Sequence, residues 1–134
     1  MKYLLDTCVI SDFVKNESNT IERVKNTSPS EIAVSTITIM EIQYGLTLYP
    51  KRAEAIRPII HDFFNTVYLL SFSEEDANQA AILRALLKQQ GTPIGSYDIL
   101  LAGTALCRQL IFVTSNTKEF NRIDGLKIEN WRHD

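Results

Sequence analysis

The chain has 134 residues, of which 45% are hydrophobic, and its 14 basic and 16 acidic side chains give a formal net charge of −2. This length predicts one domain, residues 1–134, with enough apolar surface for a core, and the small net charge excludes a global attraction to nucleic acid. No apolar run is long enough to span a membrane and the start lacks a signal-peptide pattern, so we expect a cytoplasmic protein without a membrane segment.

The predicted elements alternate between short apolar strands and helices. In chain order they are a strand at 2–5, helices at 7–15 and 18–26, a strand at 31–35, helices at 36–49 and 52–64, a strand at 66–72, helices at 73–91 and 96–108, a strand at 110–115 and a last strand at 126–131. Near-continuous apolar strands that alternate with helices are typical of a parallel sheet covered on both faces. The sequence therefore predicts an α/β sandwich with a mainly parallel central sheet.

The helix at 73–91 carries clear end signals. Ser73 with Asp76 forms a capping pattern, and Gly91 marks the stop. Glu74, Glu75 and Asp76 form an acidic first turn, which complements the helix dipole. We interpret this acidic cluster as structural.

The cysteines and histidines argue against a disulfide framework and against a zinc site. Cys8 and Cys107 each lie in an apolar segment, which favours reduced core thiols over a disulfide framework. His61 and His133 are isolated, and no pair has the spacing of zinc ligands. Any bound metal ion is therefore expected to have oxygen ligands.

Three carboxylates occur where apolar residues are expected. Asp6 directly follows the first strand, and ligands of open parallel sheets lie beyond the carboxyl ends of the strands. Glu41 lies four residues after Ile37 and three before Tyr44, so it shares an apolar side of its helix instead of facing water. Asp98 begins an almost wholly apolar helix and is also expected to point inward or into a cleft.

A metal ion would resolve the cost of these buried charges. An ionised carboxylate at low dielectric is unfavourable unless it is paired or binds a cation, and no basic residue adjoins any of the three in sequence. Oxygen ligands without His or Cys favour a hard cation, Mg²⁺ or alternatively Mn²⁺. Such an ion lowers the pKa of its water, so that water can attack a phosphodiester without a histidine base.

Structural roles are also open for each acid. Asp6 could cap the helix that follows it, Asp98 could lie in the first turn behind Ser96 as the N-cap, and Glu41 could be half exposed near a helix end. For all three to be structural, three elements would have to present them toward one sheet edge by accident. The site interpretation is therefore favoured.

Four ordered segments resemble a PIN-domain ribonuclease, specifically the VapC-like toxins of bacterial type II toxin–antitoxin pairs: "LLDTCVI", "ITIMEIQYG", "PIGSYDILLAGTA" and "VTSNTKEFNRIDGLKIENW". The resemblance covers nearly the whole chain. It implies a three-layer α/β/α PIN fold, Mg²⁺-dependent endonucleolytic cleavage of RNA, a homodimer, and inhibition by a small cognate antitoxin whose tail occupies the acidic cleft.

The resemblance also implies roles for single residues. Asp6 and Asp98 match the metal ligands, and Glu41 matches the acid that orients the attacking water. Thr7 matches the usual hydroxyl residue of the first motif, which contacts the scissile phosphate or a water.

The fourth acidic position of the family is variable. Here Asn116 stands where some members have Asp, with Glu119 as the nearby acid; the alternative is that the two form a helix-capping pair. Two further positions depart from the family pattern, because Cys8 replaces a frequent Asn and Thr104 a frequent His. Neither departure touches the three principal acids, so we expect activity to survive.

Two sets of surface residues are candidates for contacts with partners. RNA contact is expected from local basic residues among Lys15, Lys51, Arg52, Arg84, Lys88 and Lys118, to single-stranded or looped RNA. An apolar set on two helices packs in the core or leaves a patch for self-association or an antitoxin helix. It comprises Ile56, Ile59, Ile60, Phe63, Phe64, Leu83, Leu86 and Leu87.

Two other functions compete with the nuclease. A receiver domain or an aspartyl-phosphate phosphatase also places Asp at the end of a strand beside Mg²⁺. The phosphatase needs a second Asp where Cys8 stands, and the receiver needs a lysine after a late strand, where Ser115 and Asn116 follow. The third possibility is a PIN-like module that binds RNA without cutting it, although the presence of all three acids argues against this.

Overall fold

The computed structural model describes residues 1–132, so that His133 lies outside the described residues. The strands are β1 (Tyr3–Leu5), β2 (Ile32–Ser35), β3 (Tyr68–Leu70), β4 (Ile111–Val113) and β5 (Ile128–Glu129). The helices are α1 (Thr7–Val14), α2 (Ser18–Lys25), α3 (Thr36–Leu48), α4 (Pro50–Phe64), α5 (Glu74–Gln89), α6 (Ser96–Arg108) and α7 (Thr117–Phe120), with a 3₁₀ turn at Pro29–Glu31.

The five strands form one sheet in the order β3-β2-β1-β4-β5, and every neighbouring pair is parallel. This confirms the prediction of a parallel α/β sandwich. Because β1 lies between β2 and β4, the residues that follow these three strands meet at the same edge of the sheet.

Neighbouring side chains of β1 enter two different cores. Leu4 packs with residues of α5 and α6, whereas Leu5 packs with residues of α1 and α4. This alternation is the period of a strand covered on both faces. The helices therefore form two outer layers around the sheet, as the α/β/α expectation requires.

Most predicted elements are present, with shifted ends. The capping pattern of α5 is confirmed, since Asp76 N–H donates to Ser73 Oγ (3.1 Å) and Ser73 N–H donates to Asp76 Oδ2 (2.9 Å). Helix α4 begins at Pro50, two residues earlier than expected, because proline is favoured in the first turn of a helix. The 3₁₀ turn and α7 were not predicted.

The part of α3 that carries Tyr44 and Leu48 faces solvent, whereas Ile39 and Ile42 on another side of the helix pack against the core, which corrects the sequence-based interpretation. Tyr44 is 64% exposed and Leu48 52% exposed. The buried side chains of α3 are instead Thr38 and Leu46. Helical spacing identified a common side of the helix correctly, but it does not reveal whether that side faces the core.

The apolar set on the two long helices divides between core and surface. Ile60, Phe63, Leu83 and Leu87 are buried, whereas Ile59 and Leu86 are exposed. Ile56 and Phe64 are partly buried against the same core, so core packing accounts for six of the eight residues of this set.

No helix within residues 1–132 is long and apolar enough to cross a membrane.

Gly103 lets α6 lie directly against α5. A Cβ atom at this position would come within 2.8 Å of Ala80 Cβ and 2.9 Å of the Ala80 backbone nitrogen. Because real Cβ atoms essentially never approach so closely, any larger residue would push α6 away. This contact fixes the helix whose first turn carries Asp98.

Candidate active site

Asp6 lies at the carboxyl end of β1 and caps α1. Its Oδ1 accepts a hydrogen bond from Thr7 N–H (2.8 Å), and its Oδ2 accepts one from the Thr114 hydroxyl (2.8 Å). The capping interpretation is thus confirmed. The side chain is only 7% exposed. Burial raises the pKa of Asp6, and the charge of Glu119 raises it further. The hydrogen bonds that Asp6 accepts lower this pKa, but by less than burial raises it.

Thr114 is a site residue that sequence reasoning missed. It directly follows β4, and the pairing of Leu5 with Val113 brings it beside Asp6. Its hydroxyl also accepts a hydrogen bond from Asn116 N–H (3.0 Å). The sequence contained a weak signal, a hydroxyl residue near the carboxyl end of the strand predicted at 110–115, at the edge where the acid was already expected.

Cys8 lies beside Asp6 at the carboxyl end of β1. Its Sγ lies 3.6 Å from Asp6 Oδ2 and accepts a hydrogen bond from the Ser115 hydroxyl (3.3 Å). Burial raises the pKa of this thiol, and the charge of Asp6 raises it further. Thus Cys8 is half buried at the site and still supplies a polar contact.

Glu41 reaches the site from α3 and is held by Thr7. The Thr7 hydroxyl donates to Glu41 Oε1 at 2.9 Å, so the residues that follow β1 and β2 are directly joined. Burial raises the pKa of Glu41 and the charge of Asp6 adds to this, against the bond from Thr7. Glu41 is half buried, as one structural alternative supposed, but it points at the other acids.

Asp98 lies in the first turn of α6. The N-cap residue is Gly95, without a side-chain cap, so the expectation that Ser96 is the N-cap is wrong. Burial, the adjacent Glu119, and the charges of Asp6 and Glu41 raise the pKa of Asp98 to about 7.

Asn116 and Glu119 follow β4 in the chain, and the Glu119 carboxyl lies beside that of Asp98. Glu119 Oε1 accepts from Gly95 N–H (3.1 Å), and Oε2 accepts from the Asn116 amide (2.6 Å). Burial opposes ionisation of Glu119, but these bonds and one with Asp98 lower its pKa. The capping-pair interpretation is wrong in detail, because Asn116 is the N-cap residue of α7 but its side chain makes no cap bond.

The structure therefore brings all the acids proposed for the site to one edge of the sheet. Among the described residues, the ion pairs formed by Arg and Lys side chains lie elsewhere: Arg23–Glu129, Arg108–Asp76 and Arg132–Asp12. The charges of the clustered acids thus repel one another without an ion pair that neutralises them, and the charge of Arg122 acts on Glu119 only from a distance. Such a cluster attracts a cation.

The chemistry of this cluster fits a hard divalent cation. Within residues 1–132, no group of three or more His, Cys, Asp or Glu side chains is placed to hold a metal ion. A Mg²⁺ site does not require three such side chains, because this ion is commonly bound by one or two carboxylates and retains several waters. Asp6 and Asp98 supply two such carboxylates.

Replacing Asp98 with Asn is expected to stabilise the EDTA-treated protein at pH 8. The unfolded chain releases this proton near pH 3.8, whereas the folded chain retains it to a pKa of about 7. Folded stability therefore falls as pH rises between these values. After allowance for solvent screening, Asn restores about 1 kcal/mol and raises Tm by about 4 °C at pH 8.

Thermal unfolding of both proteins at pH 5 and pH 8 measures this effect. At pH 5 the difference between the two proteins should be less than half of that at pH 8, because most of the interval between the unfolded value of 3.8 and the folded pKa of about 7 then still lies above the solution pH. An Asp98→Asn protein that is less stable than the wild type at pH 8 would contradict the raised pKa. Glu54→Gln, an exposed acid on α4, is the matched control.

Comparison with known proteins extends over nearly the whole chain. A PIN domain family model matches residues 3–126. The Salmonella typhimurium protein named tRNA(fMet)-specific endonuclease VapC is 36% identical, over 98% of each chain. The crystal structure of DNA-bound VapBC from Salmonella typhimurium matches with a TM-score of 0.87 and 35% identity, covering 98% of each chain. VapBC2 from Rickettsia felis, bound to a DNA fragment from its promoter, matches with a TM-score of 0.89 and 30% identity, covering 98% of this chain and 99% of that one.

Proposed function

Because the chain belongs to the PIN domain family and is a relative of the VapC proteins, we propose that it is a metal-dependent endoribonuclease and the toxin of a type II toxin–antitoxin pair. The observation that carries this proposal is the meeting of Asp6, Glu41 and Asp98, from three separate elements, at the carboxyl edge of the sheet. It also agrees with the resemblance drawn from the sequence.

The proposed roles follow from the contacts of each acid. Asp6 and Asp98 hold Mg²⁺, with Mn²⁺ as an alternative. The ion, when bound, lowers the pKa of its water and offsets the negative charge of the phosphodiester. Asp6 is well placed for this, because Thr7 and Thr114 fix both of its oxygens.

Glu41 is proposed to orient the attacking water and to accept its proton. The Thr7 hydroxyl fixes Oε1, which leaves Oε2 for the water. A carboxylate with a raised pKa is a better proton acceptor near neutral pH than an ordinary one. Thr7 thereby acts through Glu41, a role that its bond favours over the direct phosphate contact implied by the resemblance.

Asn116 and Glu119 are proposed to complete the site together. Their mutual hydrogen bond and the bond from Gly95 N–H hold the Glu119 carboxylate against Asp98. Glu119 thus supplies the fourth acid, and Asn116 orients it. In some members of the family one Asp fills this role, whereas here two residues share it.

The substrate is proposed to be RNA, encountered in the cytoplasm. The relative from Salmonella typhimurium is named for the initiator tRNA, which makes that tRNA the first substrate to test. At 36% identity the surface that selects the RNA can differ between the two proteins.

A groove beside Glu41 is the proposed docking site for the antitoxin. It has a volume of about 220 Å³ and opens between α1, α3 and α4. Most of its lining is apolar: Ile10, Val14, Ile42, Leu46, Ile56 and Ile60. A partner with an apolar face would bury this surface and cover Glu41 at the same time.

Self-association is proposed to use a different surface. Ile82 and Leu86 on α5 are 64% and 43% exposed, and Tyr97 on α6 is 51% exposed. These side chains lie on the layer opposite α1 and α4. A homodimer through them would leave the Glu41 groove open to an antitoxin.

The receiver and phosphatase alternatives gain no support from the site. Ser115, not a lysine, follows Thr114 at the end of β4, and Cys8 stands at the second acidic position of the phosphatase. The non-cleaving alternative would need a missing acid, whereas all three principal acids converge.

Removal of divalent metal is expected to abolish RNA cleavage. Purified protein incubated with initiator tRNA or total RNA should cleave it in millimolar Mg²⁺ or Mn²⁺, stop in excess EDTA, and recover when metal is restored. Asp98→Asn protein purified in parallel detects contaminating nuclease. Cleavage by the wild type that persists in EDTA would contradict the proposal.

A further inference from the structure

A polar cleft adjoins the acidic cluster on the Glu119 side. It has a volume of about 470 Å³ and lies between the loop at 93–95 and α7 with the turn that follows it. Asn116 and Glu119 form the wall nearest the site, and Lys118 and Arg122 form the rest of the charged lining. The cleft therefore joins two cations to the edge of the proposed catalytic centre.

Both cations are available to an external ligand. Within residues 1–132, neither Lys118 nor Arg122 forms an ion pair, and the one side-chain hydrogen bond of Arg122 goes to Pro93 O at 3.3 Å. Gly95 N–H and Asn116 occupy the two oxygens of Glu119, so Arg122 lowers the pKa of that carboxyl only through its charge and makes no direct bond to it. Both basic side chains are exposed.

Their position favours a phosphate backbone as the ligand. The acidic cluster repels a polyanion, so a strand that crosses it needs positive charge close by. Arg binds phosphate through a planar fork of donors, and Lys binds it as a point charge. The Glu41 groove on the other side also contains two cations, Lys15 and Arg52, but most of its lining is apolar.

The other basic residues are less well placed for this role. Arg84 and Lys88 line a separate pocket between α5 and α6, which no acid of the cluster borders. Lys15 and Arg52 line the apolar Glu41 groove. Lys118 alone among the six residues expected from the sequence borders the Glu119 cleft, and Arg122 was not expected.

We propose that Lys118 and Arg122 form an RNA-backbone subsite that binds a phosphate neighbouring the scissile one. This inference rests on the proposed nuclease function. It assigns the Glu119 side of the centre to the RNA strand, and the cations act by holding substrate without taking part in the chemical step.

The test compares Lys118→Ala/Arg122→Ala with wild type by steady-state cleavage of initiator tRNA or total RNA. The double variant should raise KM about tenfold and leave kcat nearly unchanged, because it loses two ground-state contacts. Lys25→Ala/Lys127→Ala removes the same charge from exposed positions outside the cleft and should leave both constants unchanged. Lys118→Arg/Arg122→Lys keeps the charge and should recover most of the lost affinity.

Binding of a fluorescently labelled single-stranded RNA gives a second readout that needs no turnover. Measured on full-length protein in EDTA, the slope of log Kd against log salt should fall by about 0.7 in the alanine variant, the value for one phosphate that is no longer neutralised. An unchanged KM and salt slope, or an equal loss in the Lys25/Lys127 control, would overturn the subsite. A wild-type protein that neither binds nor cuts RNA would instead overturn the proposed function.

Discussion

The Asp98→Asn protein is expected to lose RNA cleavage by at least about a thousandfold while remaining folded. Asn has the size of Asp but not its charge, so it cannot bind a hard cation in the same way. Loss of the ion removes several kcal/mol of transition-state stabilisation, and each 1.36 kcal/mol is about tenfold in rate. Initial rates on one RNA at fixed Mg²⁺ measure the loss.

Asp6→Asn should reduce the rate as strongly, but with a cost in stability that Asp98→Asn lacks. An Asn at position 6 still caps α1 through its oxygen, whereas its amide cannot accept from the Thr114 hydroxyl. Glu54→Gln provides the control for charge loss alone. Retention of a tenth or more of the wild-type rate by either Asn variant would contradict the assigned ligands.

Asp76→Ala is expected to lower the free energy of unfolding by about 3–5 kcal/mol and to spare catalysis. Asp76 is fully buried, and Arg108 donates to both of its oxygens, at 2.9 and 3.2 Å. Although burial opposes its ionisation, the bonds from Arg108 and Ser73 lower the pKa of Asp76. Its contribution is therefore present at neutral pH and is lost as pH falls through the lowered pKa.

Urea unfolding at pH 7 measures the effect of Asp76→Ala. Glu74→Ala, an exposed acid in the same first turn, should cost no more than about 1 kcal/mol, the contribution of a charge near a helix N-terminus. Arg108 and Asp98 lie near opposite ends of α6, about 15 Å apart. A stable Asp76→Ala protein that has lost its cleavage activity would contradict the structural interpretation of the acidic first turn.

The sequence predicted the parallel sheet and the acids because each depends on a local pattern. Apolar strands of two to four residues between helices leave few topologies open. An acid directly after such a strand, as Asp6 is, must lie at the carboxyl edge. For Asp98, a carboxylate in an almost wholly apolar helix was a signal independent of the first.

The remainder of the site depends on tertiary contacts that no local pattern contains. Thr114 becomes a partner of Asp6 only because β4 pairs with β1, a choice of sheet order across more than a hundred residues. The bond between Thr7 and Glu41 similarly requires α3 to cross the edge of the sheet. The exposed position of Tyr44 shows the same limit, since periodicity defines a side of a helix but not its neighbour.

Crystals soaked in Mn²⁺ test the central claim most directly, because the anomalous signal of manganese locates the ion without reference to activity. The account predicts a peak at the carboxyl edge of the sheet, with oxygens of Asp6 and Asp98 about 2.1 Å away. No peak between these carboxylates at millimolar Mn²⁺, or a peak only at other acids, would contradict it.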